Sequence, residues 1–178
     1  MTPIYASSTF VQSSPGEHLG YEYSRTQNPT REAYENCIAS LEDGRYGFSF
    51  TSGMAAISAI IDLLPKDSHI IATNDLYGGT FRLFDKVRKI TSGLSVTYLD
   101  EFSKESLANA LKPNTKLIWA ETPSNPMLKL VDIELVATFA KANKIMSVID
   151  NTFATPFIQK PLNYGIDVVV HSATKYLN

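Results

Sequence analysis

Six short runs rich in β-branched and apolar residues, at 46–50, 69–73, 95–99, 116–120, 145–149 and 167–170, alternate along this chain with stretches of helical period. Strands separated by whole helices cannot pair as hairpins. They pair in parallel, each helix crossing one face of the sheet, and near-continuous apolar runs suit strands buried on both faces. Helices are expected at 54–64, where Pro65 stops the period, and at 80–90, 104–111 and 132–143. The chain is therefore read as α/β, a mostly parallel sheet with helices on both faces.

Ahead of this pattern, residues 1–29 show no helical period and are rich in Ser, Thr, Gly and Tyr. They read as an extended N-terminal arm contacting a neighbouring subunit, and 30–178 as one large domain. Within that domain Thr30 is expected to cap a helix with Ala33, Tyr34, Cys37, Ile38 and Leu41 on its apolar side, ended by Gly44. The lone Cys37 then reads as a reduced core thiol.

An apolar fraction of 44% over 178 residues is enough for a real core. The formal charge of −2 and a pI near 5.9 leave no broad basic surface, so nucleic-acid and anionic-membrane partners are not expected. Residues 1–10 carry no basic stretch leading into an apolar one, and no run approaches the roughly 18 apolar residues of a membrane helix. A cytoplasmic location is the expectation.

Chemistry collects where strands end. Lys175 follows the run 167–170 within His171-Ser172-Ala173-Thr174-Lys175, and Asp150 closes the run 145–149. Pyridoxal phosphate asks for a lysine to form a Schiff base, a carboxylate to keep its ring nitrogen protonated, and donors for its phosphate. Lys175, Asp150, Ser172 and Thr174 meet those demands. Thr51-Ser52-Gly53-Met54 joins a strand to a helix, so first-turn amides there suit an anion. Tyr77, before Gly78 and Gly79, suits stacking on a flat ring, although such a tyrosine also packs turns. Pro123 and Pro126 fix a loop able to hold Asn125 as an orienting amide, and Arg25 in the arm, with Tyr23, suits a phosphate fork. Ser172 and Lys175 also satisfy the Ser-x-x-Lys spacing of penicillin-recognising hydrolases, although neither Ser-Asp-Asn nor Lys-Thr-Gly occurs. His18, His69 and His171 lack metal-ligand spacing and read as structural.

Taken in order, Tyr23-Ser24-Arg25, Asn28-Pro29-Thr30-Arg31, Ser52-Gly53-Met54-Ala55, Tyr77-Gly78-Gly79-Thr80, Glu121-Thr122-Pro123-Ser124-Asn125-Pro126, Asp150-Asn151-Thr152 and Ser172-Ala173-Thr174-Lys175 make the chain resemble the Cys/Met-metabolism family of pyridoxal-phosphate-dependent enzymes. That family includes the cystathionine γ-lyases, cystathionine γ-synthases, methionine γ-lyases and homoserine-ester sulfhydrylases. The resemblance implies a fold type I transferase large domain, like that of aspartate aminotransferase. It implies that Lys175 carries the cofactor and shuttles protons, Asp150 pairs with the ring nitrogen, and Tyr77 stacks and acts as leaving-group acid or base. Gly53 and Met54 amides with Ser172 and Thr174 hydroxyls would bind the phosphate, Tyr23 and Arg25 would reach a neighbouring subunit's phosphate, Asn125 would orient cofactor or substrate, and Thr152 would line the ring.

The implied reaction is γ-elimination or γ-replacement on a sulfur amino acid or homoserine ester, with cystathionine γ-lyase ahead of the synthase and sulfhydrylase. Tyr23-Ser24-Arg25 with Asn28-Pro29-Thr30-Arg31 resembles the γ-lyases and γ-synthases more than the β-lyases, and Gly79 stands where methionine γ-lyases carry cysteine. A homo-oligomer, a dimer of dimers, is implied. Members of this family are more than twice this length and continue past the lysine into a C-terminal domain that grips the substrate carboxylate. The resemblance thus implies a chain incomplete at its C-terminus, either part of an active enzyme or a non-catalytic remnant without turnover of its own.

Overall fold

The computed structural model describes residues 2–177, which divide into two compact units, Met1–Ser49 and Phe50–Asn178.

In the first unit a small antiparallel pair, β1 (Gln12–Ser14) and β2 (Glu17–His18), precedes helix α1 (Pro29–Leu41). Asn28, not Thr30, caps α1: its side chain accepts from the amides of Thr30 and Arg31, and Pro29 occupies the first turn, where a missing N–H costs nothing. Thr30 is thereby released to bind the preceding segment, accepting from the Tyr5 amide at 2.9 Å and donating to the Pro3 carbonyl at 3.0 Å. Arg31 donates to the carbonyls of Ser24 and Thr26 at 2.8 and 2.7 Å.

Two expectations fail in this unit. Cys37 is exposed, as are Tyr34 and Leu41, while Ala33 and Ile38 of the same stripe are partly buried. The run 46–50 is extended but unpaired. There Glu35 Oε1 takes both the Ser49 amide and hydroxyl, at 2.9 and 2.8 Å, and a ladder partner is replaced by a side chain.

The second unit carries the expected parallel sheet. Its strands are β3 (His69–Thr73), β4 (Ser95–Leu99), β5 (Thr115–Glu121), β6 (Met146–Asp150) and β7 (Val168–Val170), in the order β4-β3-β5-β6-β7, with every adjacent pair parallel. Helix α2 (Gly53–Ile61) comes before β3. Between β3 and β4 runs one continuous helical stretch, α3 (Gly78–Arg82), a π-helical segment at Leu83–Arg88, and α4 (Lys89–Ser92). Helices α5 (Lys104–Ala110) and α6 (Ile133–Asn143) follow β4 and β5, and α7 (Thr155–Ile158) with a 3₁₀ turn at Pro161–Tyr164 leads to β7.

Period-two alternation sorts the strand residues into two cores. Ile71, Ile118, Ala120 and Ile149 meet α5 and α6 through Leu107, Val136 and Ala140. Ile70, Ala72, Leu117, Trp119, Val148 and Val170 meet α2 and the Phe84 helix on the other face. Helices therefore cover both faces. Phe84 meets Trp119 edge-on at 5.8 Å, and both are fully buried.

His69 is structural, as expected. Its Nδ1 lies 2.8 Å from Thr115 Oγ1 and its Nε2 2.9 Å from Thr97 Oγ1, joining β3 to both neighbours. Burial lowers its pKa to about 4, which keeps the ring neutral.

Trp119 is the sole tryptophan, and its indole N–H meets no acceptor within the apolar cluster. Native fluorescence should be strongly blue-shifted and should move to longer wavelength in one step as the second unit unfolds in denaturant. Trp119→Ala should lower unfolding free energy by about 3–5 kcal/mol; emission at the wavelength of free tryptophan before unfolding would contradict this packing.

Candidate functional site

The strand order reverses at β3. From β3 the chain moves outward to β4 by one face, then returns past β3 to β5 by the other, so the loops after β3 and β5 leave in opposite directions. A crevice opens between such loops at the carboxyl edge of a parallel sheet. Asp75 and Tyr77 stand on one side of it, the segment 121–126 on the other, and the ends of β6 and β7 bring Asp150 and residues 171–175 to the same edge.

Register decides what faces the crevice. Glu121 pairs with Asp150, two residues beyond the Trp119–Val148 pair, so both carboxyls project on the α2 face. They are 5% and 7% exposed. Thr152 donates to Asp150 Oδ1 from its amide at 3.1 Å and its hydroxyl at 2.5 Å. The Ser172 amide in turn donates to Thr152 Oγ1 at 2.9 Å. Burial pushes the Asp150 carboxyl up from its ordinary pKa, against the opposing pull of the Thr152 hydrogen bonds and of nearby His171. A cation beside Asp150 would reverse that shift.

Gly53 meets this string from α2. A Cβ on Gly53 would lie 3.1 Å from Ser172 Cβ and 3.2 Å from its Cα, so any other residue would need Ser172 to give by a few tenths of an ångström. Ser52 caps α2 by accepting the Ala55 amide at 3.1 Å, and its carbonyl takes the Ala56 amide. The amides of Gly53 and Met54, in the first turn, are left for a ligand. Met54 also reaches the Tyr77 neighbourhood: a Cβ on Gly79 would fall 2.4 Å from the Tyr77 ring and 2.8 Å from Met54 Sδ. The Tyr77 ring itself is half-exposed, free to present a face.

One residue here went unnamed as a candidate from sequence, Glu121. Its Oε2 accepts the Tyr77 amide at 2.8 Å, and the Asn125 amide also donates to it. Burial, with the Asp150 carboxyl next in effect, pushes its pKa up to about 8. The available signal was an acid closing an otherwise apolar strand, one strand away from another acid doing the same.

Gly53, Met54, Tyr77, Asn125, Asp150, Thr152 and Ser172 thus form one connected set. Thr174 and Lys175 stand exposed on the turn after β7, held by the Lys175 amide donating to the Ser172 carbonyl at 3.1 Å. Residues 173–177 are turns, so Ser172 does not open a helix as the hydrolase spacing would require. Tyr23 and Arg25 belong to the first unit, where the Arg25 guanidinium lies 4.7 Å from the Tyr23 ring centre. A cavity of about 370 Å³ opens nearby, lined by Asp75, Asp100, Glu121, Ser124, Lys129 and Leu130 among others, and neither Tyr77 nor Asp150 borders it.

The fold and this edge define an α/β unit with a glycine-opened helix N-terminus and a buried carboxylate at one crevice, and an exposed lysine on the turn that follows β7. The profile of the Cys/Met metabolism PLP-dependent enzymes matches residues 1–178, and the chain belongs to that family. It is 54% identical over 178 residues to a cystathionine beta-lyase of Coxiella burnetii, covering 100% of this chain and 46% of that protein. It is 49% identical over 175 residues to a cystathionine gamma-lyase of Bacillus subtilis, covering 98% of this chain and 46% of that one. The crystal structure of cystathionine gamma-lyase from Lactobacillus plantarum, complexed with L-serine, superposes with a TM-score of 0.94 at 50% identity, over 99% of this chain and 46% of that one. The chain spans about half the length of these relatives. Since a β-lyase and a γ-lyase match almost equally well, the arm motifs at 23–31 do not separate the two.

The residues present fit pyridoxal phosphate. The Gly53–Ser172 approach makes a cradle that a Cβ would fill, and the buried Asp150 carboxylate has the chemistry to hold a protonated ring nitrogen. Gly53→Ala should weaken pyridoxal-phosphate binding roughly tenfold, while changing stability by less than about 1 kcal/mol because alanine favours the helix. An absorbance titration alongside thermal melts will tell; unchanged affinity would count against the cradle.

Proposed function

We propose that this chain forms the cofactor-binding part of a pyridoxal-phosphate-dependent enzyme that eliminates or replaces a group at Cγ of a sulfur amino acid or homoserine ester. Cystathionine γ-lysis, giving cysteine, 2-oxobutanoate and ammonia, is the leading reaction. The observation that carries the reading is the hydrogen-bonded string from Ser172 through Thr152 to buried Asp150, with Gly53 packed on its far end.

Bound pyridoxal phosphate supplies an electron sink for charge developing on the substrate carbon chain. The protein's own groups divide the remaining work. Gly53 and Met54 amides and the Ser172 and Thr174 hydroxyls hold the phosphate at the dipole end of α2. Asp150, fixed by Thr152, holds the proton on the ring nitrogen. Tyr77 covers the ring and moves a proton at the leaving sulfur, Asn125 orients, Thr152 lines the ring, and Lys175 anchors the cofactor and carries the substrate Cα proton. Tyr23 and Arg25 reach the phosphate of a second subunit, which makes the working form at least a dimer. Gly79 supports this reading against methionine γ-lysis, because the methionine γ-lyases of the family carry cysteine at that position.

Borohydride treatment of the cofactor-loaded protein should fix the cofactor mass on Lys175, and Lys175→Ala should abolish the fixation. Tyr77→Phe should slow elimination by roughly 100- to 10,000-fold while cofactor affinity stays within about tenfold. With cystathionine as substrate, 2-oxobutanoate marks cleavage at Cγ; pyruvate instead would transfer the protein to the β-lyases.

A further inference from the structure

Glu121 has no part in the roles above, yet it meets both loops of the crevice. From the end of β5 it accepts the Tyr77 amide, in the loop after β3, and the Asn125 amide, in the loop after β5. It stands in register with Asp150 on β6. These two loops are the walls of the crevice. They are laced a second time by Asp75, which accepts from the Ser124 hydroxyl and from the Met127 amide at 3.0 Å. Glu121, in register with Asp150, is the joint between these loops and the cofactor centre.

We propose that Glu121 is a positioning residue, which locks the Tyr77 and Asn125 loops when a cation is held at Asp150 and relaxes them when it is not. The proposal rests on the reading of Asp150 as the partner of the cofactor's ring nitrogen. Its physical basis is that burial first, and the Asp150 carboxyl on the neighbouring strand second, disfavour an ionised Glu121. An empty site therefore leaves Glu121 protonated through much of the neutral range, its acceptance of the two amides weak. A positive ring nitrogen at Asp150 offsets the second of these, so Glu121 ionises at a lower pH, and its hydrogen bonds, once charge-assisted, roughly double in strength. The other charged groups are accounted for: Asp75 faces Glu121 from the loop after β3, His171 faces Asp150 from beyond β7, and Asp100, Glu101 and Lys129 border the adjoining cavity.

The sign of the pH effect follows. A carboxyl whose folded pKa lies near 8 against an ordinary 4.5 binds more protons in the folded state between those values. Stability of the cofactor-free protein should fall as pH rises through that window. Wild type, Glu121→Gln and Glu121→Ala are compared by thermal melts from pH 5 to 9 without cofactor, and by hydrogen exchange of peptides 74–80, 122–128 and 171–177 with and without pyridoxal phosphate.

The expected result is that Glu121→Gln flattens the pH dependence between about 5 and 8. In wild type, cofactor should slow exchange in 74–80 and 122–128 together, by about tenfold or more. Glu121→Ala should lose that protection in both peptides while 171–177 keeps it. Identical pH profiles in wild type and Glu121→Gln, or undiminished protection in Glu121→Ala, would overturn the proposal. If wild type binds no cofactor at all, the failure belongs to the functional reading, and the cofactor-free melts still decide whether Glu121 is held protonated in the empty site.

Discussion

The in-register pairing of β5 with β6 is the constraint on which the site depends. A one-residue slip would send Asp150 or Glu121 to the α5–α6 face, since successive strand residues alternate sides. Register is held by the apolar residues behind the acids, with Leu117, Trp119 and Val148 on one face and Ile118, Ala120 and Ile149 on the other. The core is thus the aligning device for the chemistry at its edge. Cores of this kind resist small shifts because close packing penalises both voids and overlaps.

Glycine plays the complementary part. Gly53 lets the start of α2 approach Ser172, and Gly79 lets Tyr77 and Met54 converge. At both positions a side chain would have to displace packed neighbours. An anion site made of backbone amides needs that proximity, because helix N-terminal attraction falls off within the first turn. The buried acids supply the opposite charge requirement nearby. The crevice then offers donors at the Gly53 end and a carboxylate at the Asp150 end.

Most strands and helices of the second unit were legible from apolar period alone, because in a parallel sheet burial and pattern coincide. The exceptions have particular causes. The run 46–50 has strand composition, but Glu35 takes the Ser49 amide that a neighbouring strand would need. The single helix expected at 80–90 passes through a π-helical segment, Leu83–Arg88, which a regular period does not announce. Cys37 fits an apolar helical stripe, yet it stands exposed while Ala33 and Ile38 of that stripe are partly buried. Periodicity reports which face is apolar, not whether anything packs on it.

By itself the sequence determined the α/β class and the edge residues Gly53, Tyr77, Asp150, Ser172 and Lys175, because turn glycines and strand-end polar groups have local causes. Tertiary structure alone decided that Thr152 links Asp150 to Ser172, and that Glu121 holds Tyr77 and Asn125 beside Asp150. Those links join segments 20 to 44 residues apart for Ser172–Thr152 and Tyr77–Glu121. Their partners are chosen by strand order and register, which arise from packing the whole sheet and have no signature in any one segment.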